Sequence, residues 1–201
     1  MDRGFLKAIN SDIPQNALLI STGLPGSWKS PVAEKISAIK RFGVLRSDII
    51  RLDVLKGQDI FDEKLASSQE SRMRVYEEIF RQAEQVLAKS PGGLILDATF
   101  VIQDLRLRAA EIAHKASRPL VIAEMVCSEE TSVRRILKRT KEKYESNALT
   151  RQAYLNNKAV FQAVDLDEIG SRYPGLSLTH LAIDTEYDEP HRWKVVKVEK
   201  R

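Results

Sequence analysis

Cysteine is nearly absent from the 201-residue chain: Cys127 stands alone, so no intrachain disulfide can form and a reducing compartment is the expected setting. At the end of an apolar run, it reads as a small core residue. Histidine is as scarce. His114, His180 and His191 are scattered without metal-ligand spacing, and His180, inside a strand-like run, reads as structural. Aromatic residues make up 6% of the chain and form no stacking series, which weakens any reading as a single-strand nucleic-acid module. Long apolar runs are missing. Leu120–Ile122 is far too short to cross a membrane, and Met1–Phe5 lacks the apolar stretch of a signal peptide, so a cytoplasmic protein without a membrane partner is expected. Charge of one sign is weak too: 32 basic against 28 acidic residues leave +4, which suits a polyanionic ligand such as a nucleotide without arguing for nucleic acid. No repeat or low-complexity segment is visible. With 43% hydrophobic and 30% charged residues, residues 1–201 read as one globular α/β domain able to bury its own core.

Short apolar runs alternate with helical stripes. Ala17–Ser21 reads as a buried parallel strand, followed by Gly23-Leu24-Pro25-Gly26-Ser27-Trp28-Lys29-Ser30 and a helix over 29–41 carrying Val32, Ile36 and Ile39. Further strands are expected at Val44–Arg46, Leu94–Leu96, Leu120–Val126 and Leu178–Ile183, with a sixth suggested at Trp193–Val198. Helices are expected from Ser71 to the Ser90-Pro91-Gly92-Gly93 break, over the Leu105–Ala116 stripe, around Val133–Thr140, and over about 150–164. Segments 57–69 and 142–149 are polar, the second with the character of a lid loop, and the lid is placed at about 135–150. The alternation implies a three-layer, doubly wound, mostly parallel five-stranded sheet. Ligands bind such sheets beyond the carboxyl ends of the strands, where the octet, Asp48 and Asp97 all fall.

The octet follows the phosphate-loop pattern of Gly, four free residues, Gly, Lys and Ser or Thr, with Trp28 in place of the second glycine. In such loops backbone amides cradle phosphates, the lysine (Lys29) reaches the β and γ groups, and the hydroxyl (Ser30) meets Mg²⁺. A helix N-cap is the plainer role for Ser30. Together with Ser47-Asp48-Ile49-Ile50-Arg51 and Leu96-Asp97-Ala98-Thr99-Phe100, the octet makes the chain resemble the P-loop kinases that phosphorylate hydroxyl groups of small molecules or nucleic-acid ends. That group includes polynucleotide 5′-kinase, gluconate kinase, chloramphenicol phosphotransferase and zeta toxin, and the resemblance spans about 17–184.

The resemblance implies ATP or GTP with Mg²⁺ as cofactors, a nucleotide held by residues 23–31, and a hydroxyl-bearing acceptor, with a nucleic-acid 5′ end among the candidates. Asp48 matches the general base and Arg51 the arginine that holds the acceptor; capping and an exposed salt bridge are their structural alternatives. Asp97 matches an acidic residue near Mg²⁺ or the acceptor, and a carboxylate ending a buried strand needs a partner in any case. Arg106 matches a recurrent arginine, or else a solvated helix face. Arg135 and Arg139, four residues apart on one helix face, match lid arginines that stabilise transition-state charge. Ser146-Asn147-Ala148 looks like the group's lid signature with Asn in place of Asp. Arg134, Lys138, Lys141 and Lys143 make the region basic all round.

Two departures fall on the nucleotide side. Trp28 puts an indole where phosphate meets bare backbone, so the ring either turns outward or fills the phosphate site. Pro31 lacks the amide that, in this group, contacts the α-phosphate. An ATP-dependent kinase and a nucleotide-impaired binding or regulatory protein on the same scaffold therefore both remain open readings.

Overall fold

Side-chain alternation along the central strands sorts the core into two layers, one on each face of a sheet. The computed structural model describes residues 3–58, 68–140 and 148–201. Its elements in chain order are β1 (Arg3–Gly4), α1 (Phe5–Asp12), β2 (Leu18–Thr22), α2 (Lys29–Lys40), β3 (Gly43–Arg46), α3 (Ser47–Val54), α4 (Gln69–Lys89), β4 (Leu94–Asp97), α5 (Gln103–Lys115), β5 (Leu120–Val126), α6 (Glu129–Leu137), α7 (Arg151–Val160), α8 (Leu166–Arg172), β6 (Leu178–Asp184) and β7 (Lys194–Lys200). Most of the polar segment 57–69 and residues 141–147 of the lid, including Lys141, Lys143, Ser146 and Asn147, lie outside the described residues.

The sheet runs β1-β7-β6-β5-β2-β4-β3. The five strands from β3 to β6 pair in parallel, as the sequence suggests, while β7 and β1 extend the sheet by antiparallel pairings. The seven-stranded sheet is thus two strands wider than the five-stranded expectation; β7 realises the suggested sixth, and the two-residue β1 is too short for any periodicity to reveal. Leu18, Ile20, Leu94, Leu96 and Leu120 face the layer built by α4, α5 and α8. Leu19, Ile95, Val121 and Leu181 face the layer built by α1 and α2. This period-two division of continuously apolar strands is what a sheet covered on both sides requires. No described helix is long and apolar enough to cross a membrane. His180 is buried with Nε2 2.8 Å from Glu124 Oε2, in keeping with its structural reading.

Arg106 corrects the sequence reading. Its side chain is fully buried on α5 and does not reach the cavity described below. The guanidinium donates to the carbonyls of Phe100 (3.0 Å), Ala163 (2.9 Å), Gln162 (2.8 Å) and Val101 (3.4 Å). Burial lowers its pKa to about 10. The helix expected over 150–164 stops at Val160, and beyond it the Gln162 and Ala163 carbonyls bond to Arg106 while Gln103 donates to the Asp165 carbonyl at 2.7 Å. Arg106→Leu should therefore orphan several buried carbonyls and cost about 3 kcal/mol or more. Urea unfolding would measure it, and a loss under about 0.5 kcal/mol, the range of an ordinary surface change, would contradict the structural role.

Candidate functional site: a phosphate loop facing two carboxylates

Because β2 lies between β4 and β5, the loop that leaves it opens above the middle of the sheet, beside the ends of β4 and β3. Two glycines let the loop turn back on itself. Gly23 has φ 135°, and a Cβ there would lie 2.6 Å from the Met125 carbonyl oxygen; at Gly26, φ 83°, it would collide with the Ser132 carbonyl oxygen on α6. Trp28 occupies the third turning point at φ 61° and ψ 32°, in the left-handed region. The backbone has thus kept the conformation that a glycine would adopt freely, at a cost of about 1–2 kcal/mol for a residue with a Cβ.

Contacts outside the loop hold the indole. Its Nε1 donates to Asp188 Oδ1 at 3.2 Å, and the Arg135 guanidinium lies 5.0 Å from the ring centroid. Asp188 belongs to the segment after β6, so a residue 160 positions away anchors the side chain. Lys29 opens α2 and its Nζ donates to the Leu24 carbonyl at 3.0 Å. Pro31 sits within the first turn, where helix amides have no intrahelical acceptor; the first amide to find one is Val32, which donates to the Trp28 carbonyl at 3.0 Å.

A cavity of about 970 Å³ joins this loop to Asp48, Arg51 and Asp97. Asp48 and Arg51 lie three residues apart on α3, so both face it. Lys29 is half-buried at the cavity wall, and desolvation there lowers its pKa to about 8, with Arg139 adding to the effect and Asp97 and Asp48 opposing it. Asp48 moves the other way. Desolvation raises its carboxyl above the usual 3.8 and the Asp97 charge adds to this, against Arg51, Lys29 and Arg139. No hydrogen bond among the described residues engages the Asp48 carboxylate. Asp97 is held instead: Oδ1 accepts from Ser21 Oγ at 3.1 Å, and Arg46 Nε lies 3.7 Å from Oδ2. One carboxylate is therefore fixed and the other left available to a ligand.

The two lid arginines separate. Arg139 reaches the cavity close enough to perturb both Lys29 and Asp48, and it donates to the Ala148 carbonyl at 3.2 Å. Arg135 also borders the cavity, but its guanidinium is occupied by Asp188 Oδ1 (2.9 Å), Gly26 O (3.2 Å) and Thr185 O (2.7 Å). It ties α6 to the loop and to the segment after β6. Cys127 is half-buried with Sγ 3.0 Å from Ser132 Oγ, and burial raises its thiol pKa. Sequence reasoning missed Arg72, Tyr76 and Asp188. The first two stand four residues apart on α4 and both line the cavity, a spacing that could have paired them. Nothing local marked Asp188.

Magnesium suits the donors present. It is commonly held by one or two carboxylates, phosphate oxygens and water rather than by a protein cage. Ser30 and Asp97 line the same cavity, and no cluster of three or more His, Cys, Asp or Glu able to hold a metal exists among the described residues.

The profile of a family described as an AAA domain matches residues 18–164. No curated protein matches the chain significantly. Among solved structures, a gluconokinase from Sinorhizobium meliloti 1021 superposes with TM-score 0.55 at 15% identity, covering 89% of this chain and 87% of that one. Kti12 of Chaetomium thermophilum, in complex with ADP-AlF3, gives 0.59 at 18% identity, with 87% and 93% covered. A sugar kinase from Janibacter sp. HTCC2649 gives 0.53 at 14%, with 84% and 86% covered. At these identities the superpositions establish the α/β P-loop fold. The profile match, spanning the phosphate loop, both carboxylates and the lid arginines, makes the chain a member of the AAA-domain family of small P-loop kinases.

Proposed function

We propose that the chain transfers the γ-phosphoryl group of ATP, or of GTP, to a hydroxyl acceptor held beside Asp48. The observation that carries this reading is the loop itself: with Trp28 in place of glycine, the backbone still turns left-handed at residue 28 and Lys29 still opens a helix onto the cavity that holds Asp48. Loop amides and the N-terminus of α2 receive the phosphates, where the helix dipole favours negative charge. Lys29 and Arg139 offset charge on the transferring group. Asp48 accepts the acceptor's proton as that oxygen bonds to the γ-phosphorus and the bond to the β–γ bridging oxygen breaks. Ser30 and, through water, Asp97 would hold Mg²⁺, which neutralises phosphate charge. Residues 1–201 act as a single domain in this reading, with a lid at about 135–150.

A nucleotide-impaired regulatory protein is the second reading. It is favoured by Arg135, whose guanidinium is already bound to Asp188 and backbone carbonyls, and by the missing amide at Pro31.

Titration with Mg-ATP should perturb Trp28 fluorescence and give a calorimetric isotherm; no binding at about millimolar nucleotide, the upper range of ordinary substrate affinities, rejects the phosphotransferase reading. Pro31→Thr supplies an amide and should tighten ATP about tenfold or more, the worth of a charge-assisted hydrogen bond. Unchanged affinity would place the α-phosphate elsewhere.

Lys29 titrates near 8 in the ligand-free site, and adjacent phosphate raises its pKa. At pH 8 ATP binding should therefore take up roughly half a proton at this site, read from calorimetry in buffers of different ionisation enthalpy. Net proton release at that pH would contradict the assignment.

For Asp48 the sign is opposite. Its folded pKa is raised, so the fold binds this proton more tightly than the unfolded chain, and that stability is lost as pH rises through the folded pKa. Asp48→Asn mimics the protonated form. It should raise Tm, at about 2–4 °C per kcal/mol gained, while transfer falls by roughly 10²–10⁴-fold. A variant that is both less stable and fully active would exclude Asp48 as the base.

A further inference from the structure

Among the described residues, buried and half-buried arginines nearly all spend their guanidinium groups on protein. Arg46 and Arg108 pair with carboxylates, while Arg106, Arg118, Arg135 and Arg139 donate to carbonyls. Arg51 and Arg72 are the exceptions. Neither has a carboxylate within ion-pair distance among the described residues, and Arg51 Nε is buried without any hydrogen-bond acceptor. Both line the cavity, Arg51 from α3 and Arg72 from α4. They are close enough for the Arg51 charge to disfavour that of Arg72, on top of the effect of burial.

Tyr76 lines the same cavity within electrostatic reach of both. Its hydroxyl oxygen accepts from the Phe100 amide at 3.0 Å, which leaves its O–H to donate. This wall thus presents two guanidinium groups and a hydroxyl, and two like charges with an orphaned donor are costly without an anion. Beside it the cavity is apolar, lined by Val101, Ile102 and Leu105. Asp48 lines the same cavity, within electrostatic reach of both Arg51 and Lys29.

We propose that the acceptor carries an oxyanion, phosphate or carboxylate, set apart from its reactive hydroxyl, received by Arg51, Arg72 and the Tyr76 hydroxyl, with an apolar or flat body against Val101, Ile102 and Leu105. This rests on the phosphotransferase reading for the role of the hydroxyl, but the anion site can be tested without ATP. Sugars or alcohols lacking a charged group bring these arginines no anion and are disfavoured.

The test uses the full chain without nucleotide. Arginine Nε–H signals are followed by NMR during titration with inorganic sulfate, then with AMP against adenosine and gluconate against glucose. Sulfate should shift the Arg51 and Arg72 signals, and do so equally in Lys29→Ala, which removes competition from the phosphate loop. In at least one pair the anionic member should bind about tenfold tighter than its neutral counterpart. Arg72→Gln should erase that preference while sparing neutral binding, and Arg72→Lys should restore part of it. The phosphate and carboxylate pairs report which oxyanion is preferred. The proposal is overturned if sulfate leaves both arginine signals unmoved, if neutral members bind as tightly in both pairs, or if anion binding is lost in Lys29→Ala and kept in Arg72→Gln. ATP binding, read separately from Trp28 fluorescence, should survive Arg72→Gln. Its absence from the wild-type chain would remove the phosphotransferase reading and leave the anion site standing.

Discussion

The left-handed turn at residue 28 is the constraint on which the site depends. It closes the loop after β2 and points the first turn of α2 at the cavity. Without it neither Lys29 nor the free amides at the start of α2 would face the cavity shared with Asp48. A tryptophan makes this turn at an energetic cost of about 1–2 kcal/mol. The indole's hydrogen bond to Asp188 and its stacking beneath Arg135 offset part of that strain. Arg135 in turn grips the Gly26 carbonyl, so loop, α6 and the segment after β6 form one assembly around the substituted position.

The cavity is organised by charges that share a poorly solvated space. Desolvation disfavours the charged forms of both Lys29 and Asp48. Their mutual attraction opposes this, while Arg139 pushes both toward the deprotonated form. Asp97, restrained by Ser21 and Arg46, acts on both, favouring the charged form of Lys29 and disfavouring that of Asp48. Such a balance responds strongly to an added anion or metal, because each new charge acts in a medium that screens weakly. Functional sites commonly show this opposition of perturbed acids and bases.

Much of the fold was legible because its signals are local. The central strands β2, β4 and β5 begin as continuous apolar runs, and α4 and α5 carry clear stripes. The elements that escaped notice are short or depend on distant partners: the eight-residue α1 and α3, β1 on pairing with β7, and α8 beyond the 161–165 segment whose carbonyls bond to Arg106 and Gln103. Arg106 was misread for a related reason. Its spacing fits a surface face or a ligand-binding arginine equally well, and only the packing of the segment after α7 buries it. Arg135 and Arg139 look equivalent in sequence, yet one is drawn into a structural clasp and the other comes within electrostatic reach of Lys29 and Asp48.

The sequence by itself determined the parallel sheet, the phosphate loop at its centre and the carboxylates at the strand ends. Hydrophobic period, glycine placement and the octet are all written within a few residues of one another. Tertiary structure alone decided which way the Trp28 indole turns, which arginines remain available, and that Arg51, Arg72 and Tyr76 share a wall. Those outcomes depend on contacts between residues far apart in the chain, such as Trp28 with Asp188 and Arg106 with Gln162, and no local pattern encodes them.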